Sequence, residues 1–167
     1  MTRTSRRARD GGAGTFGIGV LRPKYVENLG TLWRSAHALG ASFLFTIRDR
    51  FPPEARRDPV AADPALGRPE DTARSWERLP YLTFPTVEAL RDAMPLHTLV
   101  GVEQTDDAVD LAAFEHPAQA IYLLGSEIDG ITPPALRSCD LLVRIPSRGS
   151  LNVAVAGSIV LYDRTRG

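Results

Sequence analysis

The chain has 167 residues, of which 43% are hydrophobic and 24% charged, and its formal net charge at pH 7 is zero. These values are typical of a single globular domain with its own core, and they exclude overall charge attraction as the means of binding a polyanion. The sequence contains neither an apolar run long enough to cross a bilayer nor the apolar centre of a signal peptide, so we expect a cytoplasmic protein with no membrane partner.

The cysteine and histidine residues argue against disulfide and metal chemistry. Cys139 is the single cysteine, so we expect it to be a small buried hydrophobe rather than a disulfide partner or a metal ligand. The histidines at 37, 97 and 116 lie far apart without paired ligand spacing. We therefore expect no metal site.

The N-terminal segment 1–15 differs from the rest of the chain. It carries four arginines beside glycines, a composition that cannot pack, and we expect a disordered basic tail followed by one domain over 16–167. The tail is either incidental or an arm that clamps RNA.

The predicted elements of the first half are a strand at 16–22, a helix at 27–40, a strand at 42–47, a loop or broken helix over 49–67 and a short helix at 71–80. The apolar residues of the first helix share one stripe, which would face a sheet: Leu29, Leu32, Trp33, Ala36 and Leu39. Arg34 lies about 160° from the centre of that stripe, so we expect it outside the core.

The predicted elements of the second half are a helix at 87–94, strands at 97–103 and 119–126, a helix at 133–139, a strand at 141–146 and a last helix beyond it. Alternating helices and apolar strands predict an α/β protein whose parallel sheet is covered by helices on both faces. Ligands bind such sheets beyond the carboxyl ends of the strands, so the loops after Val102, Leu124 and Ile145 are the candidate binding loops.

Glycines and polar residues concentrate in three segments, at 28–34, 125–130 and 145–152. Glycines let backbone approach a ligand closely, and free backbone amides can read an adenine edge without a charged side chain. Each segment alone has an ordinary explanation as a strand end or a helix cap. Together, and in this order, they are specific.

The segments NLGTLWRSAHALG, LLGSEIDGI and IPSRGSLNVAVAGSIVLYD resemble the motifs of the SpoU/TrmH-type RNA 2'-O-ribose methyltransferases of the SPOUT class. The resemblance extends from about residue 17 to 162. It implies a parallel α/β sheet whose C-terminal segment forms a deep trefoil knot, one of the few exceptions to the rule against knots. It also implies S-adenosylmethionine as the cofactor and a homodimer.

The resemblance assigns roles to individual positions. Backbone and apolar contacts around the cofactor fall to Val102, Gly125, Ile145 and Leu151, together with Ser150. Ser150 and Asn152 resemble polar groups of the catalytic pocket, Arg34 the catalytic arginine, and Asn28 and Glu127 its polar partners. A guanidinium hardly deprotonates, so we expect Arg34 to hold a phosphate and stabilise the developing alkoxide rather than act as a free base.

Two features of the last motif lead to further expectations. Its small residues, Ala154, Ala156 and Gly157, are expected where the last helix passes through a loop and packs against a second subunit; the alternative is an ordinary close-packed core helix. The loop at 147–149 is a few residues shorter than is usual in the family, which puts the adenosine contacts of this chain in question.

The sequence therefore predicts an S-adenosylmethionine-dependent enzyme that methylates a ribose 2'-hydroxyl of structured RNA, with tRNA favoured over rRNA. A silent knotted dimer that binds RNA or cofactor is the alternative, and methylation of a base or of a non-RNA molecule is a third possibility. No separate RNA-binding domain is evident, so RNA contact is assigned to arginines of the tail and to Arg48, Arg50, Arg56, Arg57 and Arg148.

Overall fold

A computed structural model describes residues 14–51 and 74–166. Its strands are β1 (Phe16–Leu21), β2 (Phe43–Ile47), β3 (Tyr81–Phe84), β4 (Thr98–Val102), β5 (Val109–Asp110), β6 (Ala120–Leu124) and β7 (Leu141–Arg144). Its helices are α1 (Val26–Ala38), α2 (Val87–Ala93), α3 (Pro133–Arg137) and α4 (Val153–Arg166), with 3-10 helices at Ser75–Glu77 and Leu111–Ala113. Most of the predicted tail, and residues 52–73 of the predicted loop and short helix, lie outside the described residues.

The seven strands form one sheet in the order β3-β2-β1-β6-β4-β7-β5, and every neighbouring pair is parallel. The prediction of a parallel sheet is confirmed. Strands β6, β4 and β7 are adjacent, so the three candidate binding loops lie side by side at the carboxyl edge of the sheet. Helices cover both faces, since α1 and α4 belong to one buried cluster while α2 and α3 belong to another.

Helix α1 packs as its apolar stripe predicts. Leu29, Leu32 and Ala36 are at most 1% exposed, and Trp33 donates its indole N–H to the Leu79 carbonyl at 3.1 Å. Gly40 follows the helix with φ of +78°, a left-handed conformation in which glycine avoids the Cβ strain of other residues. Helix α1 is therefore fixed against the sheet along its whole length.

Helix α4 corrects one expectation about its small residues. Ala154 is 1% exposed in the chain's own core, and a Cβ on Gly157 would lie 2.5 Å from the Leu32 side chain on α1. These two residues are small because α4 packs closely on α1 and the sheet within one chain, not because a second subunit covers them. Ala156 instead lines the cavity described below.

A polar network joins the C-terminal half of α4 to the amino end of the sheet. The buried Tyr122 on β6 lies 2.6 Å from His116 Nδ1, and His116 Nε2 lies 3.2 Å from Asp163. Arg164 donates to the Tyr122 hydroxyl and to two backbone carbonyls of the preceding loop, and it lies 4.4 Å above the Phe16 ring. Burial is the main cause that lowers the pKa of His116 and raises the pKa of Tyr122.

Three local features differ from the predictions. Strands β3 and β5 were not predicted; β3 has no fully buried residue, and β5 is two residues long. The predicted helix at 71–80 is only a 3-10 helix at Ser75–Glu77 over its described part, and Leu79 just after it is buried. No helix within 14–51 and 74–166 has the length and apolar character needed to span a membrane. The trefoil knot stays a prediction.

Candidate active site

A cavity of about 660 Å³ opens at the carboxyl edge of the sheet, over the ends of β4, β6 and β7. Eight of the nine predicted site residues lie on its wall: Asn28, Val102, Gly125, Glu127, Ile145, Ser150, Leu151 and Asn152. Residues that are more than 120 positions apart in the sequence thus meet at one place. The strand order explains this, because the loops that follow three neighbouring parallel strands share one edge.

Gly125 marks a point where only a glycine fits. A Cβ at this position would lie 2.1 Å from the Gly130 backbone, because the loop 125–131 folds back on itself through paired hydrogen bonds between Ser126 and Gly130. The Ser126 hydroxyl also accepts the Asp129 N–H at 3.0 Å. This loop is therefore a compact wall of the cavity rather than a simple strand end.

Three side chains form a continuous hydrogen-bonded chain along the cavity. Asn152 donates its Nδ2 to Asn28 Oδ1 at 2.9 Å, and Asn28 donates its Nδ2 to Glu127 Oε1 at 2.7 Å. The other carboxylate oxygen of Glu127 accepts the Lys24 backbone N–H at 3.0 Å. Asn152 Oδ1 accepts the Ala154 N–H at 2.9 Å and so caps α4. These hydrogen bonds fix the orientation of the side-chain amides of Asn28 and Asn152.

The sequence reasoning missed two residues that brace the cavity. Glu103 directly follows β4, and its two carboxylate oxygens accept the N–H groups of Ile131 and Gln104 at 2.7 and 3.0 Å. Gln104 in turn donates its side-chain amide to the Ile145 carbonyl and to the Ser147 hydroxyl. Position was the available signal, because both residues follow Val102 at a strand end. Their hydrogen bonds connect all three binding loops.

Carboxylates dominate the charge of this cavity. Glu103, Glu127 and Asp129 line it, and its wall within the described part of the chain contains no lysine or arginine. Such a site favours a cationic ligand and disfavours a phosphate. Any cation that stabilises an anion here must come from outside the cavity wall.

Arg34 is the one predicted site residue that the structure does not bring into the cavity. It is exposed on α1, six residues beyond Asn28, which is about 9 Å along the helix axis. Its neighbour Ser35 accepts a hydrogen bond from Ser158 on α4 at 2.8 Å. Arg34 itself points about 100° around the helix from Ser35, so this contact does not involve it, and it lies exposed on the outer surface of the chain.

Metal and thiol chemistry have no geometry to support them. No group of histidine, cysteine and carboxylate side chains within residues 14–51 and 74–166 is arranged to hold a metal ion. Burial raises the pKa of Cys139 to about 12, so its thiol stays protonated and unreactive at neutral pH.

The parallel sheet defines an α/β protein, and its cavity lies over the carboxyl ends of three neighbouring strands, where proteins of this class bind their ligands. The model of the SpoU rRNA Methylase family matches residues 16–162, and the chain belongs to that family. The resemblance inferred from the three motifs is thereby confirmed.

Two curated relatives methylate different RNAs at the ribose 2'-oxygen, according to their names. The mouse tRNA (guanosine(18)-2'-O)-methyltransferase TARBP1 is 32% identical over 147 residues, which cover 83% of this chain and 8% of the relative. The 23S rRNA (uridine(2479)-2'-O)-methyltransferase of Streptomyces viridochromogenes is 32% identical over 160 residues, which cover 89% of this chain and 52% of the relative. The chain thus spans about half or less of these relatives.

Solved structures share the fold. The AdoMet-bound rRNA methyltransferase from Sinorhizobium meliloti has a TM-score of 0.75 at 25% identity, over 92% of this chain and 57% of that chain. The SpoU methyltransferase AviRb from Streptomyces viridochromogenes, in complex with AdoMet, has a TM-score of 0.72 at 28% identity, over 92% and 58%. Both contain S-adenosylmethionine, the cofactor that the resemblance implies.

Proposed function

We propose that this protein transfers the methyl group of S-adenosylmethionine to a ribose 2'-hydroxyl of RNA. The observation that carries the proposal is the cavity itself, which gathers eight of the nine predicted site residues, seven from the three motifs and Val102 from the end of β4. The relatives support the reaction class, since those named above are 2'-O-methyltransferases of tRNA and rRNA.

The residues of the cavity fit the cofactor in size, polarity and charge. Its volume of about 660 Å³ lies within the range of about 300–1,000 Å³ typical of small-molecule sites. Val102, Ile145 and Leu151 offer apolar surface for an adenine ring, and Gly125 lets backbone approach it closely. The surrounding carboxylates suit the positive charge of a sulfonium. When bound, S-adenosylmethionine supplies an electrophilic methyl group.

The amide and hydroxyl side chains on one wall of the cavity would position the acceptor ribose. Asn152, Asn28 and Glu127 hold one another in fixed orientations, so the polar wall is preorganised before any RNA arrives. The Ser150 hydroxyl lies on the same wall, exposed, and makes no hydrogen bond within the described residues. It is therefore available to a ribose hydroxyl.

Arg34 and a homodimer belong to one proposal. Val155 and Tyr162 share one face of α4, opposite its core face, and are 47% and 61% exposed, whereas Ile159 between them is partly buried. A helix that is apolar on both faces is normally buried on both. We propose that this face pairs with a second copy of the chain. Arg34, which is exposed on α1 and lies outside the cavity of its own chain, would then act at the cavity of the partner subunit.

For the substrate we propose structured RNA, with tRNA tested first. Arg48, Arg50 and Arg148 are exposed and are available to phosphates, whereas the predicted contacts Arg56 and Arg57 lie outside the described residues. The two relatives divide between tRNA and rRNA, so they support RNA as the substrate class rather than tRNA in particular.

Labelled cofactor and total cellular RNA test the proposed reaction. After incubation and nuclease digestion, we expect label in 2'-O-methyl nucleosides. Label in methylated bases would show a different reaction, and cofactor binding without any labelled nucleoside would identify a silent binding protein. Fractionating tRNA from rRNA before the reaction decides between the two substrates.

Mixed dimers test the role of Arg34. We expect Arg34→Ala to abolish turnover while S-adenosylmethionine affinity changes by less than a few-fold. Co-expressed Arg34→Ala and Asn152→Asp chains should recover about a quarter of wild-type activity, because half of the dimers are mixed and each mixed dimer has one complete site. No recovery from the mixture would show that Arg34 acts within its own chain.

A further inference from the structure

Arg22 and Arg48 occupy equivalent positions at the ends of two neighbouring strands. Leu21 on β1 pairs with Ile47 on β2, and each strand is followed directly by one of these arginines. Both arginines adopt a left-handed backbone, with φ of +50° and +56°, which favours glycine. Side chains retained in such a conformation often serve a function, because the backbone geometry alone would select glycine.

The two arginines flank a second cavity of about 270 Å³ at the carboxyl edge of the sheet. Its floor is apolar, formed by Leu21, Ile47, Val87 and Ala135 among others. Its rim is polar and includes Thr86, Glu88 and Thr132 together with both arginines. An apolar floor under a rim of arginine and hydroxyl groups suits a planar base carried by a phosphodiester.

The second cavity adjoins the candidate active site. Arg22 donates to Asp129 at 3.2 Å, and Asp129 lines the larger cavity while Arg22 lines the smaller one. The consecutive residues Ile131 and Thr132 likewise line the larger and the smaller cavity. The two cavities therefore share a wall, and one RNA strand can reach both.

Both guanidinium groups retain unused donors. Arg22 donates through one Nη to Asp129, and among residues 14–51 and 74–166 no hydrogen bond occupies its other Nη. Arg48 donates through Nε to the Pro85 carbonyl at 3.2 Å, and within the described residues no hydrogen bond occupies its two Nη nitrogens. The nearby Glu88 is a carboxylate whose pKa is lowered chiefly by its hydrogen bonds, with Arg48 a smaller cause. Glu88 can accept an N–H of a base but would repel a second phosphate.

We propose that the second cavity, the arginine cleft between Arg22 and Arg48, binds the RNA nucleotide that flanks the methylated one. The base would lie on the apolar floor and the phosphodiester on the two arginines. The inference rests on the proposed function and extends it to a substrate subsite. It also places two cationic side chains beside the larger cavity, whose wall carries three carboxylates and no cationic side chain within the described part of the chain.

Arg48→Gly is the most informative variant, because it removes the guanidinium and the left-handed strain together. We expect the free energy of unfolding to rise, the KM for substrate RNA to increase about tenfold, and kcat and the Kd for S-adenosylmethionine to change less than threefold. Arg22→Gly should act in the same direction. Arg137→Ala, an exposed arginine outside both cavities, is the matched control and should leave KM unchanged.

Salt dependence separates a phosphate contact from a general loss of structure. With a fluorescein-labelled single-stranded RNA octamer of random sequence, the slope of log affinity against log salt should fall by about one for Arg48→Ala. An unchanged salt slope for Arg48→Ala, together with an unchanged KM in both glycine variants, would overturn the proposal. So would a free mononucleotide that binds the cleft as tightly as the RNA octamer does, since that would indicate a nucleotide site independent of RNA.

The wild-type protein provides the check on the underlying function. If wild type methylates ribose while both glycine variants keep the wild-type KM, the cleft proposal fails and the proposed function stands. If wild type transfers no methyl group to RNA although the octamer binds with the expected salt slope, the proposed function fails and the cleft remains an RNA site.

Discussion

The two ends of helix α4 both form side-chain hydrogen-bond networks, but the two networks have different roles. At its N-terminal end, Asn152 caps the helix and joins an amide chain that faces an open cavity. At its C-terminal half, Arg164 and Asp163 bond to a buried tyrosine and a histidine. The first network leaves polar groups exposed to a ligand, whereas the second satisfies them within the chain. The first end should therefore determine activity and the second should determine stability.

Among the variants that compare the two ends of α4, Asn152→Asp should produce the largest effect, and it should fall on activity alone. Aspartate keeps the oxygen that caps α4 but loses the N–H donated to Asn28, so the polar wall loses its fixed geometry and methyl transfer should drop about 10²-fold. The melting temperature should stay within about 2 °C of wild type, measured by circular dichroism.

Asn152→Ala is the companion variant, since it removes the cap as well. It should show the same loss of activity and lose about 1 kcal/mol of stability in addition. If Asn152→Asp were destabilised as much as Asn152→Ala, the two roles of this residue would not be separable and the comparison would fail at the first end.

Arg164→Ala should produce the opposite result. It removes three hydrogen bonds and a cation–π contact with Phe16, so the free energy of unfolding should fall by about 2–4 kcal/mol in urea titration. Activity per folded molecule should stay within twofold. Arg166→Ala is the control, because its exposed ion pair with Asp163 should contribute less than about 0.5 kcal/mol. A large loss of kcat in folded Arg164→Ala would contradict the claim that the C-terminal half of α4 determines stability and not activity.

Glu103→Gln tests how much the bracing of the cavity contributes. An amide can accept only one of the two backbone N–H groups that the carboxylate accepts, so the loop 125–131 should loosen. We expect the Kd for S-adenosylmethionine to rise about five- to tenfold by calorimetry, equivalent to about 1–1.4 kcal/mol. Glu115→Gln, an exposed residue outside the cavity, should bind as wild type does.

His116 should produce the smallest effect, visible as a pH dependence. Its pKa is lowered in the fold mainly by burial, so the unfolded chain binds more protons below about pH 6.5. Stability should therefore fall as the pH drops through this window, and less so in His116→Gln. Urea midpoints at pH 7.5 and 5.5 for both proteins measure the difference, and equal pH dependence would contradict a neutral buried His116.

The sequence predicted what depends on short-range pattern. Within the described residues, the alternation of apolar strands and helices identified five of the seven strands and all four α-helices, because each of these carries a buried face that periodicity reveals. Strands β3 and β5, at the two edges of the sheet, were missed because they are only four and two residues long, and so short a run shows no periodicity.

The sequence predicted which residues form the site, but not the hydrogen bonds that join them. The resemblance to the family motifs predicted Asn28, Glu127 and Asn152 as site residues. Their hydrogen bonds were not predictable, because they join residues 99 and 124 positions apart and no rule of sequence spacing specifies such pairs. Glu103 and Gln104 were missed for the same reason. The exposed position of Arg34 was predicted from helical periodicity, whereas its distance from the cavity required the structure.

Hydrogen exchange with and without S-adenosylmethionine tests the division of α4 most directly. The account predicts that the ligand slows amide exchange in 125–131 and 145–152, and leaves exchange in 114–118 and 162–166 unchanged. Protection that is confined to the amino end of the sheet, or that is absent from both loops at saturating ligand, would contradict it.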